Sequence, residues 1–198
     1  MASADKSNGY EAITQEFISI RNSSSIGVAT VCNWADTLPP GSTILDLGCG
    51  HGIPLSKKLI DKGFTLYGID ASPSMIAAFR SQFPNIQTEC NTIEDSRFFG
   101  RRFDGVMAWG LMFLLAPDVQ AMLIQKVASS LEPEGRFLFT APQQACEWTD
   151  NLTGQKSVSL GVDVYRKMIE SAGMVLLDET DDEGQNHYYL VYKPGRAG

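Results

Sequence analysis

Glycines and carboxylates at strand ends are the residues best spaced to do chemistry together. The segment Ile44-Leu45-Asp46-Leu47-Gly48-Cys49-Gly50-His51-Gly52 reads as a strand that runs into a loop and then into a helix beginning near Pro54. Without Cβ atoms, glycines permit positive φ and let a ribose or amino-acid group pass close to the backbone, while the following helix offers free N–H donors. A dinucleotide fingerprint, G-x-G-x-x-G, fails because its third required position is Ile53, with Gly52 one place early. No G-x-x-x-x-G-K-[ST] run is present, so a P-loop is excluded. Asp46, two residues before the first glycine, can meet a cationic ammonium group or orient the loop. A second carboxylate, Asp70, ends the stretch Leu66-Tyr67-Gly68-Ile69-Asp70, where an acid can accept both hydroxyls of an adenosine ribose. Asp70-Ala71-Ser72-Pro73 also reads as a plain helix cap, but the glycine loop nearby favours the ribose.

Hydrophobic periodicity supplies the elements that must hold these groups. Residues 10 to 20 and 26 to 37 carry apolar side chains at helical spacing, and Pro39-Pro40-Gly41 stops the second segment. Short β-branched or aromatic runs then alternate with helical ones. Strands are expected at Thr43–Leu47, Thr65–Ile69, Ile86–Cys90, Phe103–Ala108, Arg136–Thr140, Met174–Glu179 and His187–Tyr192. The intervening helices are expected at Pro54–Lys62, Pro73–Gln82, Val119–Leu131 and Val162–Ala172. Repeated βα units predict an α/β fold, a mostly parallel sheet with helices on both faces. Only Thr180–Asn186 separates the last two strands, too short for a crossover helix, so they form an antiparallel hairpin.

The 198 residues predict a single domain, and 43% hydrophobic residues suffice to fill one core. Sixteen Lys+Arg against 23 Asp+Glu leave a formal charge of −7, a field that repels phosphate backbones and anionic membrane. Cys32, Cys49, Cys90 and Cys146 form no CxxC pair and read as buried free thiols in a reducing compartment. The two histidines lack spaced acidic partners, so no metal site is expected. The first residues lack an apolar signal core, and no apolar run approaches the ~20 residues needed to span a bilayer. The expected protein is soluble and cytoplasmic.

Residues 40 to 140 resemble, in order, the class I S-adenosylmethionine-dependent methyltransferases. Asp46 to Gly52 looks like that family's first motif, Gly68-Ile69-Asp70-Ala71-Ser72 like its second, and Asn91-Thr92-Ile93-Glu94-Asp95 like its adenine-contacting stretch. Phe103-Asp104-Gly105-Val106 with Trp109-Gly110-Leu111 resembles the fourth strand and its loop, and Leu131-Glu132-Pro133-Glu134-Gly135-Arg136-Phe137 the turn into the fifth. The resemblance implies a Rossmann-like seven-stranded sheet and S-adenosylmethionine as cofactor. By it, Asp70 holds the ribose beside Ala71, and the main chain at Ile93 with Glu94 reads the adenine amine. Gly48, Cys49, Gly50 and Gly52 pass beside the methionyl part. Met75 and Trp109 neighbour adenine and sulfonium respectively. His51 replaces the commoner small or polar loop residue. Phe113 stands where many small-molecule members carry a histidine, so no general base carries over.

Methyl transfer from a sulfonium is an in-line displacement that gains most from collinear alignment in a dry pocket. Chain following the carboxyl ends of strands should build the acceptor side: Trp109–Asp118, the insertion 141–161 with Trp148, and the hairpin tip Asp181–His187. Phe113 and Trp148 are therefore candidate acceptor contacts. His187 is the candidate base or acceptor-orienting residue, against a plain edge histidine bonded to its own turn. The leading helices, within residues 1–40, can close as a lid that brings Tyr10, Phe17 and Arg21 to the acceptor. Arg21 reads equally as partner to a methionyl or substrate carboxylate and as a helix-end cation. If the acidic run Asp178–Glu183 overlies the pocket, a cationic or amine acceptor is expected. The residues after the fourth strand, Ala108-Trp109-Gly110-Leu111, are not the N/D-P-P-Y run of nucleic-acid N-methylation, and no Pro-Cys nucleophile pair occurs. A low-molecular-weight acceptor follows. The other readings are a non-catalytic cofactor-binding regulatory module and another enzyme that uses the same sulfonium.

Overall fold

The computed structural model describes residues 5–195. Its core is a seven-stranded sheet built from β1 (Thr43–Leu47), β2 (Thr65–Asp70), β3 (Gln87–Cys90), β4 (Phe103–Ala108), β5 (Leu131–Thr140), β8 (Val175–Asp181) and β9 (His187–Tyr192), in the order β3-β2-β1-β4-β5-β9-β8. The first five strands pair in parallel, and β9 runs antiparallel to both β5 and β8. The expected sheet and its closing hairpin are thus both present.

Alternation along the strands sorts side chains to two cores. On β1, Ile44 packs to one face and Leu45 and Leu47 to the other; on β5, Leu138 opposes Phe137 and Phe139 in the same way. One face is covered by α2 (Val28–Ala35), α3 (Leu55–Asp61) and α4 (Pro73–Gln82), through Trp34, Leu59 and Phe79. The other is covered by α5 (Pro117–Ser130) and α6 (Val162–Ser171), through Ile124, Val127, Tyr165 and Ile169. Phe139 is buried between an inter-strand stack on Tyr189, at 4.6 Å and 7°, and an edge contact with Tyr165 at 5.5 Å.

Three features differ from the sequence expectations. Segment 141–161 contains a separate antiparallel pair, β6 (Cys146–Thr149) with β7 (Lys156–Ser159), whose polar alternation hides it from an apolar-run criterion. Helix α5 starts at Pro117, because proline's missing N–H is harmless at a first-turn position. Of the four free cysteines only Cys49 is buried; Cys32 is half-buried, and Cys90 and Cys146 are exposed. Among the described residues no helix is long and apolar enough to cross a membrane.

The chain proceeds outward from β1 to β2 and β3, then returns to place β4 and β5 on the other side. This reversal leaves a crevice outside the carboxyl ends of β1 and β4, where ligands bind in open α/β sheets. The first leading helix, α1 (Thr14–Asn22), lies over it, whereas α2 belongs to the sheet-face core. Replacing Phe139 by Ala should cost about 3–5 kcal/mol, read as a lower urea midpoint at unchanged m-value. A loss under ~1 kcal/mol would show that the aromatic stack is not a central part of the core.

Candidate active site

The loop after β1 is shaped by backbone bonds to the end of β2. Gly48 and Cys49 N–H groups both donate to the Ile69 carbonyl, at 2.8 and 3.0 Å, and Gly50 N–H donates to Asp70 Oδ2 at 2.8 Å. Gly52, at φ +87°, sits so close to α4 that a Cβ would lie 2.8 Å from the rings of Phe79 and Phe83. At Gly50, φ +54°, a Cβ would meet only Phe17, at 3.9 Å, so the backbone there borders open space. The second carboxylate oxygen of Asp70 accepts Ser72 N–H at 2.8 Å. One carboxylate therefore ties the glycine loop to the start of α4. Burial pushes the Asp70 carboxyl up, opposed by these two N–H donors.

Around this loop lies a cavity of about 660 Å³, within the usual range for small-molecule sites. Its floor includes Asp46, Ile69, Asp70 and Ala71, and Asn91, Thr92, Ile93 and Glu94 form one end. Lys126 grips this last stretch from α5, donating to the carbonyls of Ile93 and Glu94 at 2.7 and 3.2 Å. The opposite end is apolar, made by Leu111, Phe113, Leu114, Leu115, Ala116 and Val119. Residues 5–22 make the roof. Glu11 fastens it by accepting from Ser72 Oγ, Ser74 N–H and Ser74 Oγ at the α4 N-terminus, and these donors hold its carboxyl below the usual range. Tyr10 packs edge-on against Phe17 at 5.1 Å. Burial, and then Asp150 of the β6–β7 turn, push the Tyr10 phenol up to about 12.

The donor set fits an adenosyl group with an amino-acid tail. Asp70 faces the cavity with lone pairs left for a diol, Met75 and Ile93 give apolar cover at the same end, and the open track beside Gly50 leaves room for a chain. Residues 44–135 match a family model described as a methyltransferase domain. The match over residues 44–135 and the fold shared with solved structures support a class I S-adenosylmethionine-dependent methyltransferase domain. Among its curated relatives, 2-methyl-6-phytyl-1,4-hydroquinone methyltransferase of Synechocystis is 35% identical over 71 residues, 35% of this chain and 22% of that protein. The chain spans about half or less of the length of the curated relatives it matches. Among solved structures, 1,6-didemethyltoxoflavin-N1-methyltransferase of Burkholderia thailandensis, with bound S-adenosylhomocysteine, superposes at TM-score 0.71 and 14% identity over 98% of this chain and 93% of that one. The [4+2]-cyclase SpnF superposes at TM-score 0.76 and 14% identity over 96% of each chain. At such identities these likenesses speak for the fold.

In the methyltransferase domain, every residue expected at the cofactor lines the cavity: Asp46, Gly48, Cys49, Gly50, Gly52, Asp70, Ala71, Met75, Ile93, Glu94 and Trp109. Tyr10, Phe17, Arg21 and Phe113 line it too. Trp148 does not; it lies behind Phe113, ring to ring at 5.3 Å. Nor does His187, whose Nδ1 lies 2.7 Å from Asp181 and whose Nε2 lies 3.1 Å from Glu179. Both ring nitrogens are taken by carboxylates of the facing strand β8, within its own hairpin. Of the hairpin tip only Asn186 reaches the cavity, and of the insertion only Asp150, Leu152 and Gln155. Trp109 has one ring face covered by the Arg21 guanidinium at 4.1 Å, and its indole N–H donates to Tyr188 Oη at 2.6 Å. His51 is buried beside the loop, its Nε2 3.0 Å from Asn22 Oδ1, and burial with the nearby Arg21 keeps its pKa low. Sequence reasoning missed the clamps Glu11 and Lys126. They are single long charged side chains acting on backbone and hydroxyl groups, and carry no periodic signal.

Asp46 is buried at the end of β1 and accepts Ser56 Oγ at 2.5 Å. Burial pushes its carboxyl up to about 7, a shift that Ser56 opposes and Asp70 reinforces. A folded-state pKa above the unfolded value gives stability that is present below about pH 4 and lost as pH rises through about 7. The unfolding free energy of the native protein relative to Asp46→Asn should therefore fall between pH 4 and pH 7. Parallel pH profiles in chemical denaturation would refute the shift.

Proposed function

We propose that this chain binds S-adenosylmethionine and transfers its methyl group to a small-molecule acceptor. The observation that carries this reading is the continuity of one cavity, from the Asp70 carboxylate and glycine loop to an apolar end built by Leu111 and Phe113–Ala116. Bound there, the cofactor would supply an electrophilic methyl group on a sulfonium. Asp70 holds the ribose diol, the backbone at Ile93 and Glu94 meets the adenine, and the loop from Gly48 to Gly52 carries the amino-acid tail. The apolar end and the roof of residues 5–22 exclude water, so that nucleophile, methyl and sulfur are aligned in a dry site. Tyr10, Phe17 and Phe113 supply flat apolar surface for an acceptor body.

A small acceptor suits a site roofed from two sides, by residues 5–22 and by Asp150, Leu152 and Gln155 of the insertion. The names of the hydroquinone and toxoflavin methyltransferases point the same way for those proteins. The acidic hairpin gives a cationic acceptor little support. Asp181 is engaged by His187, Asp182 by Asn186, Tyr188 and Gly184 N–H, and Glu183 by Gly27 N–H, and none of the three lines the cavity. A second reading, a different reaction on the same cofactor site, draws on the likeness to a cyclase.

Calorimetric titration with S-adenosylmethionine, S-adenosylhomocysteine and NAD tests the cofactor. Micromolar binding of the two sulfur ligands alone is expected. Because two charge-assisted hydrogen bonds would be lost, Asp70→Ala should weaken it by roughly tenfold to a thousandfold. NAD binding, or silence from all three, would sink the proposal. Release of S-adenosylhomocysteine during turnover with an acceptor library separates methyl transfer from the second reading.

A further inference from the structure

The roof and the insertion meet between the two ends of the cavity. On the roof, Phe17 is the one side chain that a Cβ on Gly50 would meet, at 3.9 Å, and Tyr10 packs edge-on against Phe17 at 5.1 Å. On the insertion, Trp148 packs on Phe113 at 5.3 Å, and two residues later Asp150 opens the β6–β7 turn and lines the cavity. The two segments touch, because a Cβ on Gly9 would lie 2.9 Å from Thr153 Cβ. Tyr10 and Asp150 therefore stand between the glycine loop and the apolar end at Phe113. The Asp150 carboxylate is used asymmetrically. Its Oδ1 accepts Leu152 N–H at 2.9 Å, Thr153 N–H at 2.8 Å and Thr153 Oγ1 at 3.2 Å, which closes the turn. Among the described residues no hydrogen bond within 3.5 Å falls on Oδ2. The neighbouring Tyr10 phenol, pushed up to about 12 by burial and then by Asp150, keeps its proton at neutral pH and is no base itself. Other cavity carboxylates are engaged or distant. Asp46 is held by Ser56, Asp70 by Gly50 and Ser72, and Asp5 by Ser7 and Gly9, while Glu94 lies at the Asn91–Glu94 end.

We infer that Asp150 is the proton acceptor for methyl transfer, receiving on Oδ2 the proton of a neutral hydroxyl such as a phenol, with Tyr10 as the positioning residue beside it. The inference rests on the methyltransferase reading and names its acceptor class. In the step, the acceptor oxygen bonds to the methyl carbon while the carbon–sulfur bond breaks and leaves its electron pair on sulfur. The hydroxyl proton passes to Asp150 Oδ2, and solvent can remove it afterwards because Asp150 is only half-buried. The carboxylate becomes an acid and the sulfonium a thioether. A hydroxyl is a weak nucleophile until it gives up its proton, so a base beside it lowers the barrier. An ammonium fits less well, since a carboxylate holds its proton in place and a nitrogen without a lone pair cannot attack. An anionic acceptor is repelled by the same carboxylate.

The test uses the full chain with S-adenosylhomocysteine and three probes of similar size, namely 2-naphthol, its methyl ether and 2-naphthylmethylammonium. By calorimetry wild type should bind 2-naphthol roughly tenfold more tightly than the ether, as one hydrogen bond to a carboxylate would give, and more tightly than the ammonium. Asp150→Asn keeps an oxygen for the three turn donors but makes the free atom a donor, so the preference for the hydroxyl should fall to within about twofold. Its affinity for S-adenosylhomocysteine should stay unchanged, whereas a variant that merely disturbs the fold would lose both. Asp150→Glu should restore part of the preference, and Tyr10→Phe should lower it. With S-adenosylmethionine, 2-naphthol should be converted to its ether, and Asp150→Asn should lower kcat roughly a hundredfold with a smaller change in KM. Equal binding of 2-naphthol and its ether by wild type, tighter binding of the ammonium, or turnover absent in wild type or undiminished in Asp150→Asn would overturn the inference. The wild-type comparison decides hydroxyl recognition even if a variant fails to fold. Wild type that binds no S-adenosylhomocysteine would remove the methyltransferase reading instead, and the preference for 2-naphthol, measured without it, would still judge Asp150.

Discussion

The site depends on a backbone constraint at the end of β2, where Ile69 and Asp70 together receive three N–H groups from the glycine loop. A loop that leaves a buried strand must find partners for its own amides, because unpaired buried N–H groups are costly. Here the partners come from the neighbouring strand, so the register between β1 and β2 sets the position of the loop. The same Asp70 accepts Ser72 N–H and so sets where α4 begins. Loop, carboxylate and helix start are one rigid unit, and Phe79 and Phe83 seal it from below against Gly52.

Charge is distributed in a way that the net value of −7 conceals. The hairpin's acidic run turns inward on its own turn, its own histidine and the N–H of Gly27, and so has little field left for a ligand. Two of the carboxylates that line the cavity, Asp46 and Asp70, are held by hydroxyl and amide donors rather than by cations. Arg21 lines the same cavity, its guanidinium 4.1 Å from the centroid of the Trp109 ring. The cavity is therefore bipolar on a short length scale, which orients a zwitterionic or singly charged ligand more than it attracts one.

Much of this was legible in the sequence. The β1 and β2 runs, with carboxylates at or near their ends, and the short link before His187 located the sheet, the loop and the antiparallel closure. Apolar periodicity and glycine spacing report on the backbone directly. What stayed hidden lies in pairings between distant, individually unremarkable residues. Trp148, expected as an acceptor contact, packs on Phe113 and does not itself line the cavity, an order of layers that no spacing rule contains. His187 begins the expected strand, but its ring nitrogens are claimed by Asp181 and Glu179 on the strand opposite, a cross-strand pairing set by hairpin register. Glu11 acts through hydroxyls sixty residues away, and only the fold brings them together.

The position of β9 bears on how the protein is made. Although it is the last of these strands in the chain, it occupies an interior place between β5 and β8 rather than an edge. Until residues 187–192 have left the ribosome, β5 presents an unpaired edge, and Phe139 lacks the cover of Tyr189. An exposed aromatic edge strand is a template for pairing with other nascent chains. The domain thus cannot close progressively from its first strand onward during synthesis; it must wait, with the glycine loop already emerged, for a late strand to be inserted into the middle of the sheet.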